Sequence, residues 1–116
     1  AQTMAQVLRL FQQRVGIKHL MKPFPLRDED GRQIKDHPVS VLSKTGTLNF
    51  VSGLAGFADY PDGTEVVFAI FCADIDRRAG LSRAERERPE GAASWNRRAK
   101  QLQQALIERW GVMYTS

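Results

Sequence analysis

The chain reads as an α+β domain: an antiparallel sheet of about three strands, with an N-terminal and a C-terminal helix on one face. Three observations predict it. Apolar residues recur at helical spacing near both ends, three strand-like apolar segments lie between them, and the links joining those segments are short. Short links require antiparallel pairing, because parallel strands need a crossover of about a dozen residues or more. A sheet must bury at least one face, and the two helices supply the cover.

The elements follow in order. Within residues 3–16, Met4, Val7, Leu8, Phe11 and Val15 fall at helical spacing, with Arg9, Gln12, Gln13 and Arg14 on the other side and Gly16 as a stop. That stripe is expected to be core. Residues 17–38 are an irregular connector, since Pro23 and Pro25 forbid helix around Phe24. The turn sequence Asp28-Glu29-Asp30-Gly31 allows a small ribbon between 24–26 and 32–34. Its acids lack the later ligand positions of a calcium loop. His19 and His37 have no second ligand at metal spacing and read as surface histidines.

Residues 39–73 hold the strands. Val39 to Ser43 opens the first, a segment broken by Gly53 and Gly56 forms the second, and Glu65 to Ala73 is nearly continuous apolar residue. Tyr60-Pro61-Asp62-Gly63 is a turn in which Pro presets one dihedral and Gly permits a positive one. An apolar strand like the last is usually covered on both faces, yet the two helices cover only one. Self-association through the uncovered sheet face is therefore expected. Residues 74–93 read as a charged loop with a helical turn around Arg83 to Arg88. Residues 94–111 form the closing helix, capped by Ser94 and ended by Gly111. Trp95, Ala99, Leu102, Leu106 and Trp110 make its buried stripe, and Arg97, Arg98, Lys100 and Arg109 a solvated face.

Composition narrows the function classes. With 116 residues there is room for one domain and a modest core. No apolar run is long enough to cross a bilayer. A net charge of +4 favours acidic partners without choosing among them. The single cysteine, Cys72, allows neither an internal disulfide nor a zinc cluster and reads as a small buried hydrophobe; no cofactor or metal is expected.

Chemistry concentrates at Lys44-Thr45-Gly46-Thr47. At the end of an exposed strand, the Lys44 ammonium suits an anionic group on a bound molecule. The hydroxyls of Thr45 and Thr47 can bond the same carboxylate. Gly46 lets a ligand approach the backbone, the strand edge offers N–H and C=O groups to an extended peptide, and an N–H just past the glycine can stabilise an oxyanion. Together these parts suit a peptide that ends in a free carboxylate.

The longer stretch K-T-G-T-L-N-F-V-S-G-L-A-G-F, followed by D-G-T-E-V-V-F-A-I-F and the W-N-R-R-A-K-Q-L-Q-Q-A-L-I-E-R-W helix, resembles the serine D-alanyl-D-alanine carboxypeptidases. It is most similar to the class C, low-molecular-mass penicillin-binding proteins that also act as endopeptidases. The resemblance covers roughly residues 39–110, and the residues before them more faintly. It implies a partial penicillin-binding, β-lactamase-like transpeptidase fold, peptidoglycan stem peptides or β-lactams as ligands, and a periplasmic location. It also implies substrate-binding roles for Lys44, Thr45, Gly46 and Thr47: the first two hold the carboxylate, Gly46 leaves room for the acyl group, and the backbone N–H of Thr47 contributes to the oxyanion hole.

Those enzymes carry Ser-x-x-Lys and Ser-x-Asn motifs as well. No serine of this chain is followed three residues later by lysine, and Ser94-Trp95-Asn96 comes after Lys-Thr-Gly at a helix start. The chain thus reads as the C-terminal piece of such an enzyme, a single partial domain over 1–116 that begins at Ala1 and awaits the rest of the transpeptidase domain as its partner. Alone it is expected to be inactive. The alternative is a small basic double-stranded-RNA-binding-like module, suggested by the helix–three strands–helix order and by Arg97-Arg98-Ala99-Lys100. Its connectors are long for such a module and Lys44 to Thr47 would have no task, so no nucleic acid is expected.

Overall fold

The structure, a computed structural model, describes residues 1–48, 50–80 and 91–115. Helix α1 (Gln2–Val15) leads through a 3-10 turn (Ile17–Leu20) to a two-residue strand, β1 (Lys22–Pro23). Three nine-residue strands follow: β2 (Ser40–Leu48), β3 (Val51–Asp59) and β4 (Glu65–Ala73). Helices α2 (Ile75–Ala79) and α3 (Ala92–Tyr114) close the described fold. The architecture is α+β, and the sheet is antiparallel in the order β1-β2-β3-β4.

The sheet has four strands where about three were expected. The addition is β1, which pairs Lys22 with Ser43 and Pro23 with Leu42. Pro23 is tolerated because it lies on the outer strand opposite a residue whose main-chain groups turn toward β3, so no ladder bond is lost. The ribbon across Asp28 to Gly31 is present as an Arg27–Gln33 bridge, with the Asp28 carboxylate accepting from the N–H groups of Asp30 and Arg32.

Strand register sorts the side chains onto two faces. Val41, Ser43, Thr45 and Thr47 of β2 share a face with Ser52, Leu54, Gly56 and Ala58 of β3 and with Val66, Phe68, Ile70 and Cys72 of β4. Helix α3 covers this face. Ile107 joins the core with Leu26, Val41, Leu54, Ala58, Tyr60, Phe68 and Ile70, and Phe68 meets Trp110 at 5.9 Å. Cys72 packs at its margin, half-buried.

The opposite face carries Phe57, Asp59 and Glu65, and the segment following α1 reaches it. The Lys18 Nζ donates to Asp59 at 2.7 Å and to Glu65 at 2.6 Å, and lies 5.9 Å from the Phe57 ring centre. Leu8 is buried outside the α3-side core, and α1 lies against β3 and β4. The two helices therefore take opposite faces, not one. A strand apolar on both sides, such as β4, demands cover on both. Cover on the α1 side is incomplete, since Phe71 remains 54% exposed and Leu48 is exposed as well.

Local expectations need six further corrections. In α1 only Leu8 is buried; Met4, Val7 and Phe11 are exposed, and the side chain of Val15 lies outside the described residues. Amphipathic spacing set the helix but not the width of its buried stripe. In α3 the buried positions are Ala92, Ala99, Gln103 and Ile107, with Leu106 and Trp110 half-buried and Leu102 exposed. Gln103 is inside because its side-chain N–H groups donate to Ser52 O and Oγ at 3.2 and 3.3 Å.

Residues 74–93 are not wholly loop. Asp74 caps α2 by accepting from the N–H of Arg77, and α3 begins at Ala92 behind Gly91, whose φ is +78°. Ser94 lies inside the first turn and accepts from Arg98 at 2.7 Å instead of capping. The helical turn expected around Arg83 to Arg88 lies outside the described residues. His37 is half-buried and engaged instead of free on the surface: Nε2 sits 3.3 Å from Glu108, and Nδ1 accepts from the N–H of Val39. Finally, Gly111 does not end α3, which continues to Tyr114.

Candidate functional site

Lys44, Thr45, Gly46 and Thr47 occupy the second half of β2 and are exposed. On the inner side they pair with Ala55, Leu54, Gly53 and Ser52 of β3. On the outer side β1 reaches only as far as Ser43. Among the described residues, no strand pairs with the outer edge of β2 beyond that point.

The direction of the free backbone groups follows from one bond. The N–H of Phe24 donates to the C=O of Val41 at 2.9 Å, so Val41 turns its main-chain groups outward. Those groups alternate along an antiparallel strand, so Ser43, Thr45 and Thr47 turn outward too. Ser43 is opposite β1; Thr45 and Thr47 turn their N–H groups to an edge along which no strand of the described residues lies. The Lys44 Nζ curls over the same edge and donates to the C=O of Thr45 at 2.6 Å. The four residues named from sequence thus sit together, with a cation and two outward N–H groups on one unpaired edge. A Cβ placed on Gly46 would meet nothing within 4 Å, so the space above it is free of protein.

Two features fasten this edge. Gly56 lies opposite Ser43, where a Cβ would intrude on the β2 backbone, 2.6 Å from the Ser43 Cα and closer still to the Leu42 carbonyl. The strands come together there because residue 56 has no side chain. Past Thr47, Phe50 adopts φ +63° and is fully buried. Its ring meets Trp95 edge-on at 5.9 Å and Arg77 at 4.2 Å, and its C=O accepts from Asp74 at 2.8 Å. A non-glycine residue in that region is uncommon and persists only where its surroundings hold it.

Beside the edge lies a cleft of about 710 Å3, lined on one wall by Ser43, Lys44 and Thr45 and on the other by Arg97, Lys100, Gln101 and Gln104 of α3. Lys22 and Arg27 add positive charge. Of the three acids in its lining, Asp28 closes its own turn, Glu108 is engaged by His37 and Gln104, and Glu29 stands exposed on the turn. Gln104 also exchanges bonds of 2.8 Å with both main-chain groups of Arg27, fixing the ribbon to α3.

Arg97 and Lys100 had read as a solvated face. They share a stripe with Gln101 and Gln104 at helical spacing, a pattern visible in the sequence; that β1 and the edge of β2 form the opposite wall was not. Two groups away from the site have shifted pKa values. Burial pushes the Tyr60 phenol up. Lys18 loses some affinity for its proton by desolvation, but the hydrogen bonds and charges of Asp59 and Glu65 outweigh that and hold it above its ordinary 10.5.

An α+β fold whose antiparallel sheet presents Lys-Thr-Gly on an open strand, with helices at both ends of the chain, fits part of the penicillin-binding architecture. The model of the D-Ala-D-Ala carboxypeptidase 3 (S13) family matches residues 1–99, and the chain belongs to that family. The match takes in α1 and the connector as well as the strands. Neither the curated proteins nor the solved structures include a match to this chain. Among the described residues no helix is long and apolar enough to cross a membrane.

Proposed function

We propose that this chain forms the Lys-Thr-Gly wall of the active-site cleft in a serine-type D-Ala-D-Ala carboxypeptidase of the bacterial cell envelope, acting on peptidoglycan peptides and binding penicillin. The observation that carries the reading is the unpaired stretch of β2, where Lys44 stands beside the outward N–H groups of Thr45 and Thr47. An extended peptide adds to such an edge through main-chain bonds. Lys44 and the Thr45 hydroxyl then hold its terminal carboxylate, and the Thr47 N–H donates to the carbonyl oxygen that becomes negative on attack.

The nucleophile must come from residues outside this sequence, which has no Ser-x-x-Lys. The hydroxyl oxygen of that serine bonds to the scissile carbonyl carbon, the C–N bond breaks, and D-alanine departs with a proton. A water then takes the acyl group. This chain binds and orients; it does not attack. Acylation needs a nucleophile, a base and an oxyanion hole together, so the 116-residue chain alone should form no adduct with a fluorescent penicillin.

In the intact protein, Lys44→Ala should slow penicillin acylation by about one to two powers of ten, the worth of a charge-assisted hydrogen bond of roughly 1.5–3 kcal/mol. Lys44→Arg should be milder, since the charge survives with altered geometry. Stopped-flow acylation of the three proteins decides it. Unchanged kinetics in Lys44→Ala would remove Lys44 from the carboxylate clamp.

A further inference from the structure

Gln103 is a polar residue in the buried stripe of α3. One turn to either side lie Ala99 and Ile107, both buried, and Gln103 itself is only 1% exposed. An apolar side chain would fill such a position without the desolvation that a buried amide incurs. What the amide adds is direction. Its N–H groups reach both O and Oγ of Ser52, at 3.2 and 3.3 Å, and both bonds form only where α3 and β3 meet in this register. Ser52 is buried as well.

Ser52 stands opposite Thr47, and their side chains share the α3 face. Because the main-chain groups of Thr47 turn outward, no ladder bond joins this pair directly. On one side of it Leu48 pairs with Val51, next to the turn. On the other side Gly46 pairs with Gly53, where neither strand has a side chain to brace the other. The place of Thr47 relative to β3 thus depends on Ser52, the residue directly across from it. We propose that Gln103 is a positioning residue for the oxyanion donor: by holding Ser52 to α3, it fixes the place of the Thr47 N–H. The inference rests on the reading of that N–H as part of the oxyanion hole. Gln103 is buried and acts only through Ser52. The effect on rate follows from the geometry that a donor must keep, since a misplacement of about 1 Å costs roughly 10²-fold.

The test uses the intact protein and two depsipeptide esters that end in a free carboxylate, identical except for C=O or C=S at the scissile carbon. Sulfur is a poor hydrogen-bond acceptor, so the preference for the oxo ester over its thiono twin reads the oxyanion donors. Loss of folded protein cancels from that ratio of kcat/KM values. Gln103→Met keeps the volume and removes the directed bonds; it should lower the oxo preference about tenfold, short of the loss of a whole donor. Ser52→Ala should lower it less, about threefold, because the carbonyl of residue 52 still holds the amide. Adding Ser52→Ala to Gln103→Met should change nothing more, since the hydroxyl matters only while the amide is there. Thr47→Pro deletes the N–H itself without the loss of a ladder bond and should lower the preference most. If Thr47→Pro lowers it while Gln103→Met leaves the wild-type value, the positioning role is overturned and the Thr47 donor stands. Additive effects of Gln103→Met and Ser52→Ala overturn transmission through Ser52. Should Gln103→Met fail to fold, Ser52→Ala decides alone, and an unmoved preference there overturns the role. A preference unmoved by Thr47→Pro overturns both readings.

Discussion

Tyr60 and Gly111 lock the sheet to α3. A Cβ on Gly111 would lie 2.8 Å from Cε1 of the Tyr60 ring, and the Tyr60 hydroxyl donates to the C=O of Ile107 at 2.6 Å. The ring is thus wedged against one turn of α3 and hydrogen-bonded to the turn before it. This explains a glycine near the end of a helix, where alanine would favour helix by about 1 kcal/mol.

Gly111→Ala should accordingly destabilise the protein despite its better helix propensity. The ring cannot swing away without breaking a buried bond, and overpacking of this kind costs roughly 1–3 kcal/mol. Tyr60→Phe alone should cost about 1 kcal/mol, and the double variant less than the sum of the two, since freeing the ring eases the clash. Urea denaturation of the three variants measures this; an additive or stabilised double variant would contradict the wedge.

Gly46 and Gly56 should behave oppositely. Gly46→Ala meets empty space and should leave the unfolding midpoint almost unchanged while slowing penicillin acylation in the intact protein, because the methyl occupies space left for ligand. Gly56→Ala drives a methyl into the β2 backbone at Ser43, so it should unfold or loosen the sheet by several kcal/mol, on the order of a severe core substitution. Comparing thermal midpoints with acylation rates separates them. A strongly destabilised Gly46→Ala would place that glycine in the fold instead of the site.

Lys18 ties the turn after α1 to the far ends of β3 and β4. Its folded pKa is raised, so its stabilisation is fully present below its ordinary 10.5 and is lost as pH climbs through the higher folded value. Lys18→Met should lose about 1 kcal/mol at neutral pH, modest because both carboxylates are partly solvated. The gap between the variant and the wild type should close in strongly alkaline solution. A gap independent of pH would mean that the lysine acts through its packing on Phe57 and not through its charge.

Phe50 should be the most sensitive residue of the β2–β3 connection. Phe50→Ala removes a fully buried ring from between Trp95 and Arg77 and should cost about 3–5 kcal/mol. Phe50→Gly should be milder than the lost ring alone implies, because glycine accepts the positive φ without strain. If alanine proves better tolerated than glycine in chemical denaturation, backbone strain at this position is absent.

The strands, their order and the Lys44–Thr47 motif were legible in the residues themselves. Alternation and continuous apolar runs are local patterns, and Tyr60 to Gly63 encodes its turn within a few residues. The ends of α3 were not legible. Ser94 and Gly111 have the chemistry of a cap and a stop, but helix limits yield to contacts made elsewhere: Gly91 starts the helix, and Tyr60 is the reason for glycine at 111. Likewise no periodicity announces β1, a two-residue strand that exists only through its pairing with β2. Its length decides what the motif can do. Because β1 stops at Ser43, no strand among the described residues lies beside the outward N–H groups of Thr45 and Thr47, and because α3 lies on their face, Arg97 and Lys100 line a cleft beside them. The sequence alone determined which side chains and backbone donors could meet a carboxylate-ended peptide. Only the tertiary structure decided that they lie on an open edge, since an edge is defined by the strand that is not beside it.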